Sequence, residues 1–107
     1  MSHAPKTVTN TNGHQRGSAR AREFTMHAMR AHLLALAGRH AKARHSLDRA
    51  EQVRRGLPAD VSLDSHWLRL HWRNAALLCD RDTDLWRKAR RFHETAARRG
   101  LQAHAPA

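Results

Sequence analysis

Apolar residues recur every three or four positions along most of this chain, which is the spacing of amphipathic α-helices. The pattern predicts four helices, near residues 18–37, 40–55, 62–79 and 83–99. Their expected inward positions are, helix by helix, Phe24, Ala28, Ala31 and Leu34 or Ala35; Ala43, Leu47, Ala50 and Val53; Leu63, Trp67, Leu70, Asn74 and Leu77; and Leu85, Ala89, Phe92 and Ala96.

Glycine and proline mark the expected ends of these helices. We expect Gly38 to end the first helix in a left-handed conformation, and Gly56, which precedes Pro58, to do the same for the second. Gly100 marks the predicted end of the fourth helix. The candidate N-cap residues, which have short oxygen-bearing side chains, are Ser18 for the first helix and Asp60 or Ser62 for the third.

The composition indicates an all-α fold. Three valines are the only β-branched apolar residues, and neither isoleucine nor tyrosine occurs, whereas strands favour these types. Short turns between successive helices predict two antiparallel hairpins within one domain at 18–100. The polar, aperiodic residues 1–17 are predicted to form a disordered arm, and 101–107 a frayed tail.

The first predicted hairpin resembles a tetratricopeptide repeat. In that family small and large apolar residues surround a turn glycine, and an aromatic residue follows the glycine. The positions that match are Ala31, Leu34, Gly38, His40, Ala43, Leu47 and Ala50, with histidine in place of the aromatic residue. The second hairpin keeps only the helix-B spacing of Ala89 and Ala96. The resemblance implies stacked hairpins, and a four-helix bundle is the alternative.

Residues 28–79 also resemble a family of small bacterial regulators, the aggregative-adherence negative regulators and the related activators of virulence operons. The positions that match are Gly38, His40, Ala43, Leu47 and Ala50, followed by Trp67, Arg73 and Cys79. The tryptophan-to-arginine separation is longer than in that family, and the fourth helix has no counterpart there. The resemblance implies a protein that controls transcription by contacting other regulators.

Charge is the strongest functional signal in the sequence. Twenty lysines and arginines against nine acidic residues give a net charge of +11. Cationic residues off the apolar faces are candidate contacts for nucleic-acid phosphates or other anions, and a plain solvated surface is the alternative. On the second and fourth helices these are Arg39, Lys42, Arg49, Arg54, Arg55, Arg87, Lys88, Arg90, Arg91 and Arg98.

Tryptophan supplies candidate contacts for a protein partner. Trp67 falls on the predicted apolar face of its helix, whereas Trp72 and Trp86 fall beside such faces. Exposed tryptophans are common among the residues that dominate binding energy. We therefore expect Trp72 and Trp86 to bind a partner, with packing between the two hairpins as the alternative.

Enzyme chemistry finds no support in the sequence. The closest histidine pairs within predicted helices are five residues apart, which puts them on different faces, and the lone Cys79 can complete neither a disulfide nor a structural zinc site. Asp80, Asp82 and Asp84 lie in a turn, where helix capping explains them. The sequence predicts no metal, cofactor or catalytic residue. It also predicts no membrane segment, and hence a cytoplasmic protein.

Two functions remain as predictions. The first is a small bacterial, phage or plasmid regulatory adaptor that binds an acidic protein and thereby modulates transcription. The alternative is an accessory protein that binds nucleic acid through its phosphates with little sequence specificity.

Overall fold

The fold is all-α, as the composition predicts. The computed structural model describes the backbone of residues 4–104 and the side chains of residues 17–100. Four helices occupy this range, and no strand occurs within it. They are α1 (Ala4–Leu36), α2 (His40–Gly56), α3 (Ser65–Leu78) and α4 (Asp84–His104).

The outer ends of α1 and α4 extend beyond the predicted boundaries. Helix α1 begins at Ala4, so the segment expected to be a disordered arm is helical from that residue onward, and Ser18 caps nothing. Adding a residue to an existing helix is far easier than nucleating one, and Pro5 is compatible with the first turn. Helix α4 likewise continues through Gly100 to His104. Residues 1–3 and 105–107 of the predicted arm and tail lie outside the described residues.

The turns between helices follow the predicted chemistry only in part. Gly38 adopts φ +76° and ends the first hairpin turn, as expected. Gly56 is not left-handed; instead Leu57 takes an extended conformation and its N–H donates to the carbonyl of Arg54. The N-cap of α3 is Asp64, whose carboxylate accepts the His66 N–H at 2.8 Å. The candidates Asp60 and Ser62 lie too early because α3 begins only at Ser65.

The two hairpins stack through α3. Helices α1 and α2 pack along each other, α3 lies against both of them, and α4 packs against α3. Within the described part of the chain, α3 is the one helix that the α4 backbone approaches. The second hairpin is therefore held to the first mainly by the residues that α3 presents to α1 and α2.

Small side chains allow this close packing. Ala28, Ala31, Ala43, Ala50 and Ala89 are completely buried, and all five were predicted to point inward. Phe24, Leu47 and Val53 are buried with them, while Leu85 and Phe92 of α4 are partly buried against the same core. The predicted inward faces of α1, α2 and α4 are thus confirmed.

The buried face of α3 coincides only in part with the predicted one: Asn74 is buried and Trp67 is partly buried, as predicted, but the face turns towards residues outside the predicted row. His71, Trp72, Asn74 and Ala75 are buried, whereas Leu77 is 69 % exposed. Helix α3 contacts α1 and α2 on one side and α4 on the other, so a wide arc of its surface is covered. The predicted row was too narrow to describe that arc, because it left out His71, Trp72 and Ala75.

We predict opposite effects of adding a methyl group at two glycines, neither of which has another group within reach of a new Cβ. Gly38→Ala should lower the free energy of unfolding by about 1 kcal/mol, because alanine is strained at positive φ. Gly100→Ala lies in a helix and should raise it by up to about 1 kcal/mol. Urea denaturation of both variants measures this. A Gly38→Ala protein as stable as the wild type would contradict the left-handed turn.

Candidate interaction site

A buried carboxylate joins the two hairpins. Glu51 of α2 accepts two hydrogen bonds from the guanidinium of Arg54, from Nε at 2.6 Å and from Nη2 at 2.8 Å. The same carboxylate lies 3.0 Å from Nε2 of His71, which is completely buried in α3. Three charged or polar side chains from two helices therefore meet around one group in the core.

The protonation of this cluster follows from its geometry. Burial favours the neutral acid and by itself would raise the pKa of Glu51. The hydrogen bonds and charges of Arg54 and His71 outweigh this effect and lower the pKa of Glu51 to about 2. An ionised carboxylate only accepts hydrogen bonds, so the His71 Nε2 carries a proton and donates it. The other ring nitrogen, Nδ1, is buried and has no hydrogen-bond partner in the described structure.

Trp72 belongs to the same cluster and is not an exposed anchor. Its residue surface is 6 % exposed, the Arg54 guanidinium lies 5.0 Å from its ring centroid, and the Phe92 ring is 6.1 Å away. The expectation that Trp72 is exposed is wrong, because it packs between Arg54 of the first hairpin and Phe92 of the second, which is the alternative that the sequence left open. Arg54 is correspondingly a structural residue rather than a free cation, since its charge is matched by Glu51.

A second buried polar contact fixes α3 against α1. The Asn74 side-chain amide donates to the carbonyl oxygen of Ala28 at 3.0 Å, and Asn74 is 2 % exposed. A buried amide without such an acceptor would be costly, so this bond selects one position of α3 along α1.

Trp86 occupies an intermediate position. Its ring is partly buried against the core, and the Arg90 guanidinium lies 5.6 Å from the ring centroid. Arg90 also donates to Glu94 at 2.9 Å. These residues line a hollow of about 500 Å³. A role for Trp86 in partner binding stays a prediction.

Four of the five large apolar residues that are exposed in the described part of the chain lie on α1, where the sequence analysis did not place a site. Met26, Met29, Leu33 and Leu36 are 57, 41, 56 and 72 % exposed. We call these four residues the outer stripe. Their 3-4-3 spacing puts them on one face, separate from the buried face of Phe24, Ala28 and Ala31. The sequence contains this second apolar row, but the sequence analysis assigned only the core row of α1.

A basic groove lies beside the outer stripe, between α1 and α2. This α1–α2 groove encloses about 730 Å³ and includes Met26 of the stripe. Its charged and ionisable lining residues are Glu23, His27, Arg30, Lys42, His45 and Arg49. Glu23 is its one acidic residue, and that carboxylate is already within 3.2 Å of Arg20.

A second basic groove lies between α3 and α4. This α3–α4 groove also encloses about 730 Å³. Leu68, Trp72, Phe92 and Ala96 form its floor, and its cationic lining residues are Arg69, Lys88, Arg91 and Arg99. No acidic residue lines it.

The predicted cationic residues do not form one surface. Lys42 and Arg49 line the α1–α2 groove, and Lys88 and Arg91 line the α3–α4 groove. The remaining cationic candidates that are exposed line neither groove, and they are Arg39, Arg55, Arg87, Arg90 and Arg98. The structure therefore divides the basic surface into two separate lined sites.

The Glu51 cluster generates a prediction for stability. Glu51→Gln should lower the free energy of unfolding at pH 7 by roughly 2–4 kcal/mol, because it leaves Arg54 and His71 without their buried anion. The lowered pKa of Glu51 means that its contribution is present above about pH 4.5 and is lost as the pH falls towards about 2. The difference between wild type and variant should therefore shrink over that range in urea titrations.

Glu94→Gln is the matched control for this substitution. Glu94 makes an exposed ion pair with Arg90, and losing such a pair costs less than about 1 kcal/mol. Equal losses in the two variants, or a Glu51→Gln difference that does not depend on pH, would contradict the assigned role of the cluster.

The described residues include neither a cluster of metal ligands nor a membrane-spanning helix. No group of three or more histidine, cysteine, aspartate or glutamate side chains could hold a metal ion there. None of the described helices combines the length and apolar character needed to cross a bilayer. Comparison with known proteins finds no matching family model, curated protein or solved structure.

Proposed function

We propose that this protein is a small regulatory adaptor that binds an acidic, amphipathic helix of a partner protein. The outer stripe and the adjoining α1–α2 groove form the binding site. The observation that carries the proposal is the row of four large apolar side chains exposed beside a basic groove.

The apolar part of the site suits a helix. The 3-4-3 spacing of the outer stripe is that of the seam in a helical coiled coil, in which each apolar side chain packs between residues of the facing helix. Two of the four residues are methionines, whose flexible side chains adapt to differently shaped partners. Covering these residues would remove apolar surface from water, which is the main driving force of association.

The polar part of the site selects the charge of the partner. Arg30, Lys42 and Arg49 line the groove, and its single carboxylate is engaged by Arg20. Acidic residues flanking the apolar face of a partner helix would lie against these cations. The net charge of +11 would also speed the encounter with an acidic protein. A second copy of this basic chain is disfavoured by the same charges.

The cellular role follows from the resemblance to small bacterial regulators. That resemblance implies control of transcription through contact with other regulators, and we place this role in the cytoplasm. A helix-binding surface on a small chain suits such contact, because binding a helix of a regulator can by itself block or expose that helix to other proteins.

A designed peptide tests the proposal directly. The probe is an amphipathic helix with leucine along one face and glutamate on both flanks, and its affinity is measured by calorimetry. We expect Met29→Ser combined with Leu33→Ser to weaken binding at least roughly thirtyfold, because loss of a central anchor costs about 2 kcal/mol or more. Both residues are exposed, so the variant should melt close to the wild-type temperature.

Leu77→Ser is the control, since Leu77 is even more exposed than Met29 and Leu33 but lies on α3 outside the stripe. It should bind the peptide as the wild type does. Three results would count against the proposal. The first is that the peptide fails to bind the wild type at low salt. The second is that its affinity falls equally in both variants, and the third is that a lysine-flanked peptide binds the wild type as tightly.

A further inference from the structure

We infer that the α3–α4 groove is a second binding site, and that it holds the phosphate backbone of a single-stranded nucleic acid. The groove shares no residue with the outer stripe or the α1–α2 groove. The protein would then join an acidic protein to a nucleic acid. This goes beyond the proposed function, and either site can exist without the other.

Charge is the first observation behind this inference. Four cationic side chains and no carboxylate line the groove. Within the described residues, Lys88 lies 3.5 Å from Asp84, whereas Arg69, Arg91 and Arg99 take part in no ion pair. Three arginines are therefore free to contact an anion. Guanidinium groups match phosphate oxygens in shape and donate two hydrogen bonds at once.

The arrangement of the cations fits a linear polyanion. Lys88, Arg91 and Arg99 follow one another along α4, and at 1.5 Å per residue they cover about 16 Å. Arg69 stands on the opposite wall, on α3. A single strand can lie between the two walls and contact both, as strands do in other basic grooves. A duplex keeps its bases stacked between its two strands, so it could not place one against the partly accessible aromatic floor.

The floor of the groove argues against a helical protein partner. None of the large apolar side chains that are exposed in the described part of the chain lies in this groove. Trp72 is almost completely covered, and Phe92 and Leu68 are only partly accessible. A helix would find no protruding apolar anchors here, unlike at the outer stripe. Because the contacts would be made mainly to phosphates, above a half-covered aromatic ring, we expect binding to depend only weakly on the nucleotide sequence.

Fluorescence anisotropy with a labelled thymidine oligonucleotide of about 12 residues tests the inference. The wild type should bind with an affinity that falls steeply as salt rises. Arg69→Gln, Arg91→Gln and Arg99→Gln together should reduce the slope of log Kd against log salt by about two, because each single-strand phosphate contact contributes roughly 0.7. The same variant should bind the acidic peptide as the wild type does.

A second triple variant separates this site from general charge. Arg39→Gln, Arg49→Gln and Arg55→Gln remove the same charge from residues on or beside α2. That variant should keep the oligonucleotide slope to within about half a unit. Equal losses in the two variants would show that the oligonucleotide responds only to net charge and would overturn the inference. No binding at low salt, or stronger binding to a duplex than to its separated strands, would also overturn it.

A competition experiment needs no variant and so does not depend on folding of altered chains. Wild-type protein saturated with the acidic peptide should still bind the oligonucleotide with less than about a threefold loss of affinity. Full displacement would mean that the two ligands share one site and would overturn the inference. A peptide that never binds refutes the proposed function alone, and the triple variants then decide on the groove.

Discussion

The hydrogen bond between Glu51 and His71 is the interaction on which the rest of this structure depends. It joins α2 of the first hairpin to α3 of the second inside a core made largely of alanine. Alanine lets helices approach closely but does little to fix the position of one helix along another, because its side chain is small and uniform. Buried polar groups that must find their partners supply that register, together with Asn74 on the Ala28 carbonyl.

The same cluster sets the position of the α3–α4 groove. Arg54 holds Glu51 on one side and lies over the ring of Trp72 on the other, and Trp72 in turn packs near Phe92. Trp72 and Phe92 form much of the floor of that groove. The Glu51 carboxylate of the first hairpin is thus connected to the surface of the second hairpin through Arg54, Trp72 and Phe92. The outer stripe is independent of this chain of contacts, because it depends only on the face of α1 that points away from the core.

The fold class and most of the core could be predicted from the sequence because α1, α2 and α4 each bury one regular row of apolar residues. The buried face of α3 was predicted only in part: Asn74 was placed inward, whereas His71 was not, because its buried partner Glu51 lies 20 residues away in the chain. Trp72 was misplaced for the same reason. The turn at Gly38 could be predicted because glycine is the residue that most readily adopts a positive φ. The end of α4 could not be predicted from Gly100, because glycine also fits within a helix. The 3-4-3 spacing of the outer stripe is present in the sequence, but its exposure depends on which face of α1 the other helices cover, and the sequence does not show that.

A double-mutant cycle between Glu51 and His71 tests most directly whether their bond fixes the two hairpins together. Urea unfolding at pH 7 is measured for the wild type, Glu51→Gln, His71→Leu and the double variant. The account predicts that the two substitutions are coupled by roughly 1–3 kcal/mol, so that the double variant is more stable than the sum of the single losses implies. Losses that add to within about 0.5 kcal/mol would contradict it, because they would mean that the two side chains contribute to the core separately.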